Sequence, residues 1–390
     1  MAYLARRRDT NRLRILLLPV VIASLVSWPY KHTWVFSLEY QELIVLDWGV
    51  SLLVCALIAK TLQFALDPNG ALKVGEEQLP PSALFQGSRH REEEAQREIR
   101  REHLPWVPSG LYDALEVAVS QRGIGFTFGA GTYLPPHTKP LSRGPFLLAT
   151  FLSLLHKLLV IDVLENTLRH SVPGLMQGGR TIFVPTLPPP FPQQYVPPSI
   201  LITVLSGWHM FTGFMAIYDL ATLFCVSILH SSPSSWPPAL QSPFKSDSLH
   251  KFWARSWHQL LRQSFLIYGG YPGLWLAGPA GMGAGVFLAS GLVHECSVYM
   301  VDAERGWEWW PVGFFMLQSA GLIGEKAFTG MSGRRVGGWA GRVWGYAWVL
   351  GTVQFVFDSW YRRGLRGGLV ITVPPRFSPV HYLIQRYFGS

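Results

Sequence analysis

Two polar side chains interrupt an otherwise uncharged stretch of the sequence. Residues 286–295 read VFLASGLVHE, and the run ends in His294 and Glu295. Such side chains are costly to remove from water, so within a membrane span they usually face an interior cavity or each other. Neutral imidazole can take a proton from a hydroxyl, which makes His294 a candidate general base, although a lone histidine is often structural. Ser290 and Gly291 lie one helical turn earlier and leave a small-residue notch where a substrate could approach.

A second candidate site is a basic and aromatic segment, residues 248–262. On a helix, side chains three and four positions apart share a face, so the segment predicts one cationic stripe. The stripe consists of Lys251, Arg255, His258 and Arg262, with Trp253, Trp257, Leu260 and Leu261 against lipid or protein. This pattern is typical of an interfacial helix anchored by tryptophan. It equally suits an anionic ligand such as the phosphates of coenzyme A, because arginine binds phosphate well.

Further polar groups in apolar stretches give weaker indications. Asp219 could pair with a residue such as His209 or line a cavity, and Glu325 could simply end its span. Polar groups also hold membrane helices together, so a structural role is favoured for both carboxylates.

Several other chemistries lack their motifs in this chain. The histidines are scattered, whereas a di-iron hydroxylase or desaturase needs them closely clustered. There is no G-x-S-x-G elbow, and residues 123–129 miss the dinucleotide-binding pattern. Cys55, Cys225 and Cys296 form no C-x-x-C pair. We therefore expect no metal site and no permanently bound cofactor. A transporter remains an alternative, because buried charge in a helical bundle can also line a permeation path.

The composition indicates which elements position these residues. Of the 390 residues, 49% are apolar and 15% are charged, and the mean hydropathy is +0.20. This is too little charge to cover an ordinary soluble surface. The net charge of +9 could suggest nucleic acid, but the basic residues flank apolar stretches, as in membrane proteins. We expect an all-α, polytopic transmembrane helical bundle that forms a single domain over residues 1–390 and binds no nucleic acid.

Apolar stretches of about 20 residues predict seven membrane spans, and eight are compatible with the pattern. They lie near residues 14–30, 43–66, 144–168, 198–229, 273–301, 309–327 and 342–360. The span 273–301 carries His294, and residues 248–266 are expected to form an interfacial helix.

Basic residues predict the side on which each connecting segment lies. Four segments are rich in Lys and Arg, namely the amino terminus, the large polar loop 67–143, and the loops 231–265 and 328–342. By the positive-inside rule these segments are cytosolic, whereas the Pro-rich residues 171–200 lie on the opposite side. Seven spans then leave Arg362, Arg363 and Arg366 on the lumenal side, against the rule. Either a span is miscounted or the tail re-enters.

Taken together, the two candidate segments resemble the membrane-bound O-acyltransferase superfamily, and within it the wax-synthase-like branch common in fungi. The resemblance rests on Ser248-Leu249, on Phe252-Trp253-x-Arg255-x-Trp257-His258-Gln259 with Arg262, and on Ser290-Gly291-Leu292-x-His294-Glu295. His294 follows His258 by 36 residues (294 − 258). Looser similarity runs from about residue 104 to Trp360, most of the chain.

The resemblance implies an enzyme that transfers an acyl group to a hydroxyl inside the membrane. It implies that His294 is the general base and that His258 is the second catalytic position. In such an enzyme Lys251, Arg255, Arg262 and Trp257 are the candidates for binding acyl-CoA, and Ser290, Gly291, Glu295 and Asp219 are the candidates for the substrate cavity.

Fungal members of this branch acetylate hydroxyls of terpenoid or meroterpenoid metabolites. The resemblance therefore implies acetyl-CoA as co-substrate, a hydrophobic alcohol as acceptor, and the endoplasmic reticulum membrane as location. A long-chain wax-ester or sterol-ester synthase uses the same chemistry with a different tunnel, and a membrane transporter is the non-enzyme alternative.

Overall fold

The structure is a computed structural model that describes residues 1–7, 9–27, 40–75, 108–172, 174–175, 178–187, 197–257, 259–365 and 372–388. All regular secondary structure in these ranges is helical, apart from one isolated β-bridge between Lys73 and Phe126. The all-α membrane fold expected from the composition is confirmed.

Twelve α-helices follow one another along the described chain. They are α1 (Ala2–Ala5), α2 (Asn11–Ser27), α3 (Tyr40–Leu66), α4 (Ser109–Val119), α5 (Arg143–Ser171), α6 (Pro198–Ser227), α7 (Leu249–Lys251), α8 (Arg262–Phe265), α9 (Tyr271–Val301), α10 (Trp310–Ser332), α11 (Gly338–Arg362) and α12 (Pro379–Phe388). Two π-helical turns, Phe252–Ser256 and Leu266–Gly270, follow α7 and α8. The 3-10 turns are Thr127–Gly129, Pro233–Ser235, Pro243–Lys245, Ala303–Arg305 and Pro375–Phe377.

Four helical stretches in the described chain are long and apolar enough to cross a membrane. They are Asp47–Leu66, Arg143–His170, Pro198–Ser227 and Arg262–Val301. Each overlaps one of the seven predicted spans. The other three predicted spans coincide with α2, α10 and α11, which form helices but do not reach the same combination of length and apolarity. The count of seven therefore stays a prediction.

The apolar stretch Arg262–Val301 is a helical hairpin rather than one long helix. Its backbone leaves helical geometry at Ala277 and at Gly278, which has a φ of +63°. This left-handed conformation favours glycine because a side chain there would be strained. The chain turns back at this point, and Pro279 begins the second arm.

Two glycine contacts on either side of this turn hold the hairpin arms together. A Cβ added to Gly269 would lie 2.1 Å from the carbonyl oxygen of Gly285, and a Cβ added to Gly273 would lie 2.1 Å from that of Gly281. The two backbones therefore touch, which only glycine permits. The predicted span 273–301 is wrong in its first residues, because they belong to the first arm and not to the helix that carries His294.

The carboxyl-terminal end of α11 lies beside the loop that follows α5. The N–H of Gly179 donates to the carbonyl oxygen of Arg362 at 2.8 Å, and the N–H of Ile182 donates to Asp358 at 2.9 Å. We call this side of the bundle, with residues 178–187, 302–309 and the end of α11, the tail end. The opposite side, with residues 228–251 and 333–337, is the motif end.

Acidic partners explain why basic residues stand at the tail end. The Arg363 side chain is 0% exposed and donates to the carbonyl oxygens of Asp302 at 2.9 Å and Gly306 at 2.8 Å, with Glu308 at 3.6 Å. Arg362 pairs with Asp358 at 3.0 Å, and Arg366 lies outside the described residues. Arg363 is buried and Arg362 is paired at the surface, so both are poorer indicators for the positive-inside rule than free arginines.

The charges that interrupt α5 are also used inside the protein. The Asp162 carboxylate accepts hydrogen bonds from the Ser378 hydroxyl at 2.5 Å and from the Val380 N–H at 3.0 Å, which fixes the start of α12. Lys157 pairs with Asp219 on α6. Through both contacts, polar residues of an otherwise apolar helix hold α5 to a neighbouring helix.

Candidate functional site

A cavity of about 810 Å³ lies between the helices and reaches His294. Its walls come from α3, α6, the hairpin, α10, α11 and the segment 248–262, which we call the motif segment. Aromatic and aliphatic side chains dominate the walls, and the polar ones are few; among the latter are Thr203, His250, Gln259, Arg262, Ser290, His294 and Tyr346. A large apolar chamber with a few polar groups is the usual form of a small-molecule site.

The hydrogen bond of His294 defines what its imidazole can do. Nδ1 lies 2.7 Å from the carbonyl oxygen of Ser290, one turn earlier on the same helix. A carbonyl oxygen can only accept, so Nδ1 carries the proton and Nε2 of the neutral ring keeps its lone pair. Phe315 packs against the ring with centroids 4.9 Å apart, and Phe265 lies on it at 6.4 Å. In its neutral form the imidazole thus has an unprotonated Nε2, which a general base requires.

The motif segment is not the continuous helix that its periodicity predicts. α7 covers only Leu249–Lys251, the π-turn Phe252–Ser256 follows, and Trp257 is extended with φ −76° and ψ 151°. The break frees carbonyl groups, and the Gln259 side chain donates to two of them, those of Trp253 at 3.1 Å and Trp257 at 3.2 Å. A polar side chain therefore replaces the helical hydrogen bonds, which the spacing of cationic residues does not reveal.

The broken helix separates the residues of the predicted cationic stripe. Arg262 and Trp257 line the cavity, but Lys251 and Arg255 do not. Lys251 pairs with Asp247 at 2.6 Å and lowers the pKa of that carboxyl group, and the Arg255 guanidinium lies 5.5 Å from the ring centre of Tyr133.

His258 lies outside the described residues, so its predicted role stays a prediction. Within the part of the chain that is described, the Arg262 guanidinium makes no hydrogen bond and no ion pair, although it lines the cavity. It is therefore available to a bound anion or to a developing negative charge.

The predicted substrate notch is only half open. Ser290 lines the cavity beside His294. Gly291 does not, because α10 crosses it: a Cβ added to Gly291 would lie 2.7 Å from the Cα of Val312. The small size of Gly291 serves the contact between the hairpin and α10, and its role toward a substrate stays a prediction.

Glu295 and Asp219 also lie away from the cavity walls. Glu295 is 1% exposed, and its Oε1 accepts the N–H of Glu308 at 2.8 Å, which ties the loop between the hairpin and α10 to the helix of His294. Asp219 accepts from Ser153 at 2.7 Å and pairs with Lys139 at 2.9 Å and with Lys157. Both carboxylates hold neighbouring elements together in this structure, and their role in a substrate cavity stays a prediction.

His209 does not pair with Asp219, the other possibility that the sequence left open. The His209 ring is fully buried in α6, and neither of its nitrogens has a hydrogen-bond partner among the described residues. The Asp219 carboxylate is instead paired with the two lysines, and one of them, Lys139, comes from the loop that precedes α5.

Comparison with known proteins relates this site to one family. Residues 236–317 match the model of the membrane bound O-acyl transferase family. Over this segment, the chain is similar to membrane bound O-acyl transferases. The matched residues include the motif segment, the hairpin and the start of α10, and they contain both His294 and Arg262. The family resemblance predicted from the two motifs is confirmed.

Three fungal proteins illustrate the likeness to acyl transferases. Acetyltransferase aurG of Calcarisporium arbuscula is 27% identical over 244 residues, which is 55% of this chain and 56% of the relative. Acetyltransferase eriL of Hericium erinaceus is 23% identical over 265 residues, 63% of this chain and 65% of the relative. Acetyltransferase ataH of Aspergillus terreus is 29% identical over 154 residues, 38% and 51%. The chain spans between about half and two thirds of the length of these curated relatives.

Sequence reasoning named Trp253 but did not predict the aromatic side chains that pack around it. Trp253 packs on Phe287, Phe314 and Phe315 at centroid distances of 5.4, 6.2 and 5.9 Å. Its indole N–H donates to Gln318 on α10 at 3.3 Å. The aromatic residues were visible in the sequence, but their spacing along separate helices gives no sign that they converge on one chamber.

Proposed function

We propose that this protein is a membrane-bound O-acetyltransferase that transfers acetyl from acetyl-CoA to a hydroxyl of a hydrophobic alcohol. The observation that carries the proposal is His294, whose imidazole is oriented by the Ser290 carbonyl at a chamber within a segment that matches an acyl transferase family. The names of the relatives, all acetyltransferases, support acetyl as the group transferred.

The proposed reaction is a direct transfer with His294 as general base. Nε2 takes the proton of the acceptor hydroxyl as that oxygen attacks the thioester carbonyl, because a neutral alcohol is a weak nucleophile. The carbon–oxygen bond forms, negative charge develops on the thioester oxygen, and the carbon–sulfur bond then breaks. The imidazolium returns its proton to the departing thiolate of coenzyme A, so no proton is gained or lost overall.

Two residues of the sequence motif are proposed to stabilise charge during transfer. The Arg262 guanidinium, which has no partner in the described protein, is suited to the phosphates of acetyl-CoA or to the developing oxyanion. His258 is proposed as a second donor on the strength of the family resemblance. Acetyl-CoA acts as a co-substrate in this reaction, and no resident cofactor is required.

The size and chemistry of the cavity support a bulky apolar acceptor. A chamber of about 810 Å³ lined mainly by aromatic side chains suits a polycyclic alcohol, and we propose a terpenoid or meroterpenoid secondary metabolite. The same volume also accommodates a long acyl chain, so a wax-ester or sterol-ester synthase is the alternative that the donor test below separates. We place the enzyme in the membrane of the endoplasmic reticulum.

The test is a comparison of acyl donors in membranes. Membranes that contain the protein, and membranes of the same host without it, receive acetyl-CoA or palmitoyl-CoA with a panel of terpenoid, sterol and fatty alcohols. Release of coenzyme A and the mass of the products are recorded. We expect a product that gains one acetyl group, in the presence of the protein alone. A palmitoyl product in its place establishes the ester synthase, and no acyl product with any donor refutes the proposal in favour of a transporter.

A further inference from the structure

We propose that Glu325 is a positioning residue that fixes the start of the motif segment between α10 and α11. It thereby maintains the cavity wall that this segment forms, where Arg262 is proposed to bind acetyl-CoA. The inference rests on the acetyltransferase function proposed above. The sequence suggests only that Glu325 ends a span, yet it lies well inside α10 (Trp310–Ser332) and is 7% exposed.

Glu325 binds the backbone of the motif segment with both carboxylate oxygens. Oε1 accepts the N–H of Leu249 at 2.7 Å, and Oε2 accepts the N–H of His250 at 3.0 Å. Oε1 also accepts the indole N–H of Trp344 on α11 at 3.1 Å. One carboxylate on α10 therefore joins the motif segment and α11, and its charge is stabilised by three N–H donors.

The segment cannot satisfy these backbone groups in another way without moving. Ser248 accepts the N–H of Lys251 at 3.1 Å, which leaves the two preceding N–H groups to Glu325. A buried N–H without an acceptor is costly, and an amide in place of the carboxylate offers only one acceptor oxygen.

Close backbone contacts show how tightly this region is packed. A Cβ added to Gly321 of α10 would lie 2.6 Å from the Leu249 side chain, and one added to Gly341 of α11 would lie 2.3 Å from the carbonyl oxygen of Asp247. Both helices therefore use glycine where the segment crosses them. This fit leaves the segment little room to shift, and the carboxylate is the polar contact that holds its first backbone N–H groups.

The anchored residues lead directly into the cavity wall. His250, which Glu325 binds, lines the cavity, and Trp253, Trp257 and Arg262 line it further along the segment. If the hydrogen bonds of Glu325 to the segment are weakened, the segment adopts the conformation that binds acetyl-CoA for only a fraction of the time. The apparent affinity for the donor falls by that fraction, whereas turnover of the bound complex does not.

The kinetic test compares Glu325→Gln with Lys326→Gln in full-length protein in membranes. Lys326 is the exposed neighbour of Glu325 on α10. Lys326→Gln therefore introduces the same glutamine at an adjacent position that makes no hydrogen bond to the described part of the motif segment. We expect Glu325→Gln to raise the KM for acetyl-CoA about tenfold, with kcat changed less than about twofold, and Lys326→Gln to change neither. A loss of kcat at constant KM indicates fewer folded molecules, a merely structural role, and overturns the inference.

A labelling test gives a readout that does not depend on activity. Ala254 follows the anchor and lines the cavity, so Ala254→Cys reports how often the segment opens to a maleimide reagent. Labelling of protein without this change, which retains Cys55, Cys225 and Cys296, is subtracted. We expect Glu325→Gln to speed labelling of Ala254→Cys about tenfold and Lys326→Gln to leave it unchanged. Unchanged labelling in Glu325→Gln overturns the inference, whether or not acetyl transfer is detected. Faster labelling in a protein without acetyl transfer refutes the proposed function alone.

Discussion

At the scale of single residues, the proposed chemistry depends on the partner that each polar side chain has in the folded protein. His294 could be singled out because a polar side chain in an apolar stretch is expensive, and the structure places it at the cavity. Its tautomer could not be foreseen, since it depends on the Ser290 carbonyl and on the helix that presents it. Glu295 and Asp219 also lie in apolar stretches, but neither lines the cavity. Glu295 accepts a backbone N–H, and Asp219 pairs with two lysines.

The separation of the cationic residues leads to a first prediction. We expect Arg262→Ala to lower kcat/KM for acetyl-CoA by roughly ten- to hundredfold, because a charge-assisted contact to the donor or oxyanion is lost. Lys251→Ala is the matched control: its ammonium pairs with Asp247 outside the cavity, so the change should be less than about threefold. Initial rates at varied acetyl-CoA concentration measure both. Equal losses in the two variants would mean that both cations contact the donor.

At the scale of elements, the helices were predictable and their interruptions were not. Apolar composition and length locate α3, α5, α6 and α11, because these properties belong to each segment alone. The hairpin turn at Ala277 and Gly278 was missed, since glycine and proline are common in membrane helices and only the contact between the two arms reveals their use here. The broken motif segment was missed for a similar reason: the carbonyl acceptors of Gln259 become free only in the folded chain.

The helix contact at Gly291 gives a prediction at this scale. We expect Gly291→Ala to lower the free energy of unfolding by about 1–3 kcal/mol, because its Cβ would overlap the backbone of α10. Gly313→Ala on α10 is the control, since a Cβ there meets nothing within 4 Å and should be neutral or stabilising by up to about 1 kcal/mol. Thermal unfolding in detergent measures both. If Gly291→Ala unfolds at the wild-type temperature, the two helices are not in close contact at this position.

At the scale of the whole molecule, the two ends of the bundle differ in whether their basic residues are paired with acidic groups. The motif end carries the basic loops that the positive-inside rule assigns to the cytosol, whereas Arg362 and Arg363 at the tail end are paired with acidic groups. These pairs reduce the number of free basic groups in the tail, and the alternatives of a miscounted span or a re-entering tail stay predictions. A sequence shows the charges, but the partners of Arg363 lie about 60 residues away along the chain.

This arrangement predicts the orientation of the protein in a membrane. We expect a cysteine at Arg334→Cys, in the exposed loop of the motif end, to react with an impermeant maleimide in sealed microsomes. A cysteine at Glu304→Cys, an exposed position among the tail-end residues 302–309, should react only after detergent opens the vesicles. Labelling of both sites in sealed vesicles would contradict an arrangement that places the two ends on opposite sides.

The most direct test of the central claim concerns His294. Acetyl transfer from acetyl-CoA is measured for wild type, His294→Ala and His156→Ala in membranes matched for protein amount, with the acceptor that wild type acetylates. His156 is an exposed histidine on α5 and serves as the control. We predict that His294→Ala loses acetyl transfer by roughly a hundred- to ten-thousandfold, as expected for removal of a general base, and that His156→Ala keeps the wild-type rate. Full activity of His294→Ala would contradict its assignment as the base.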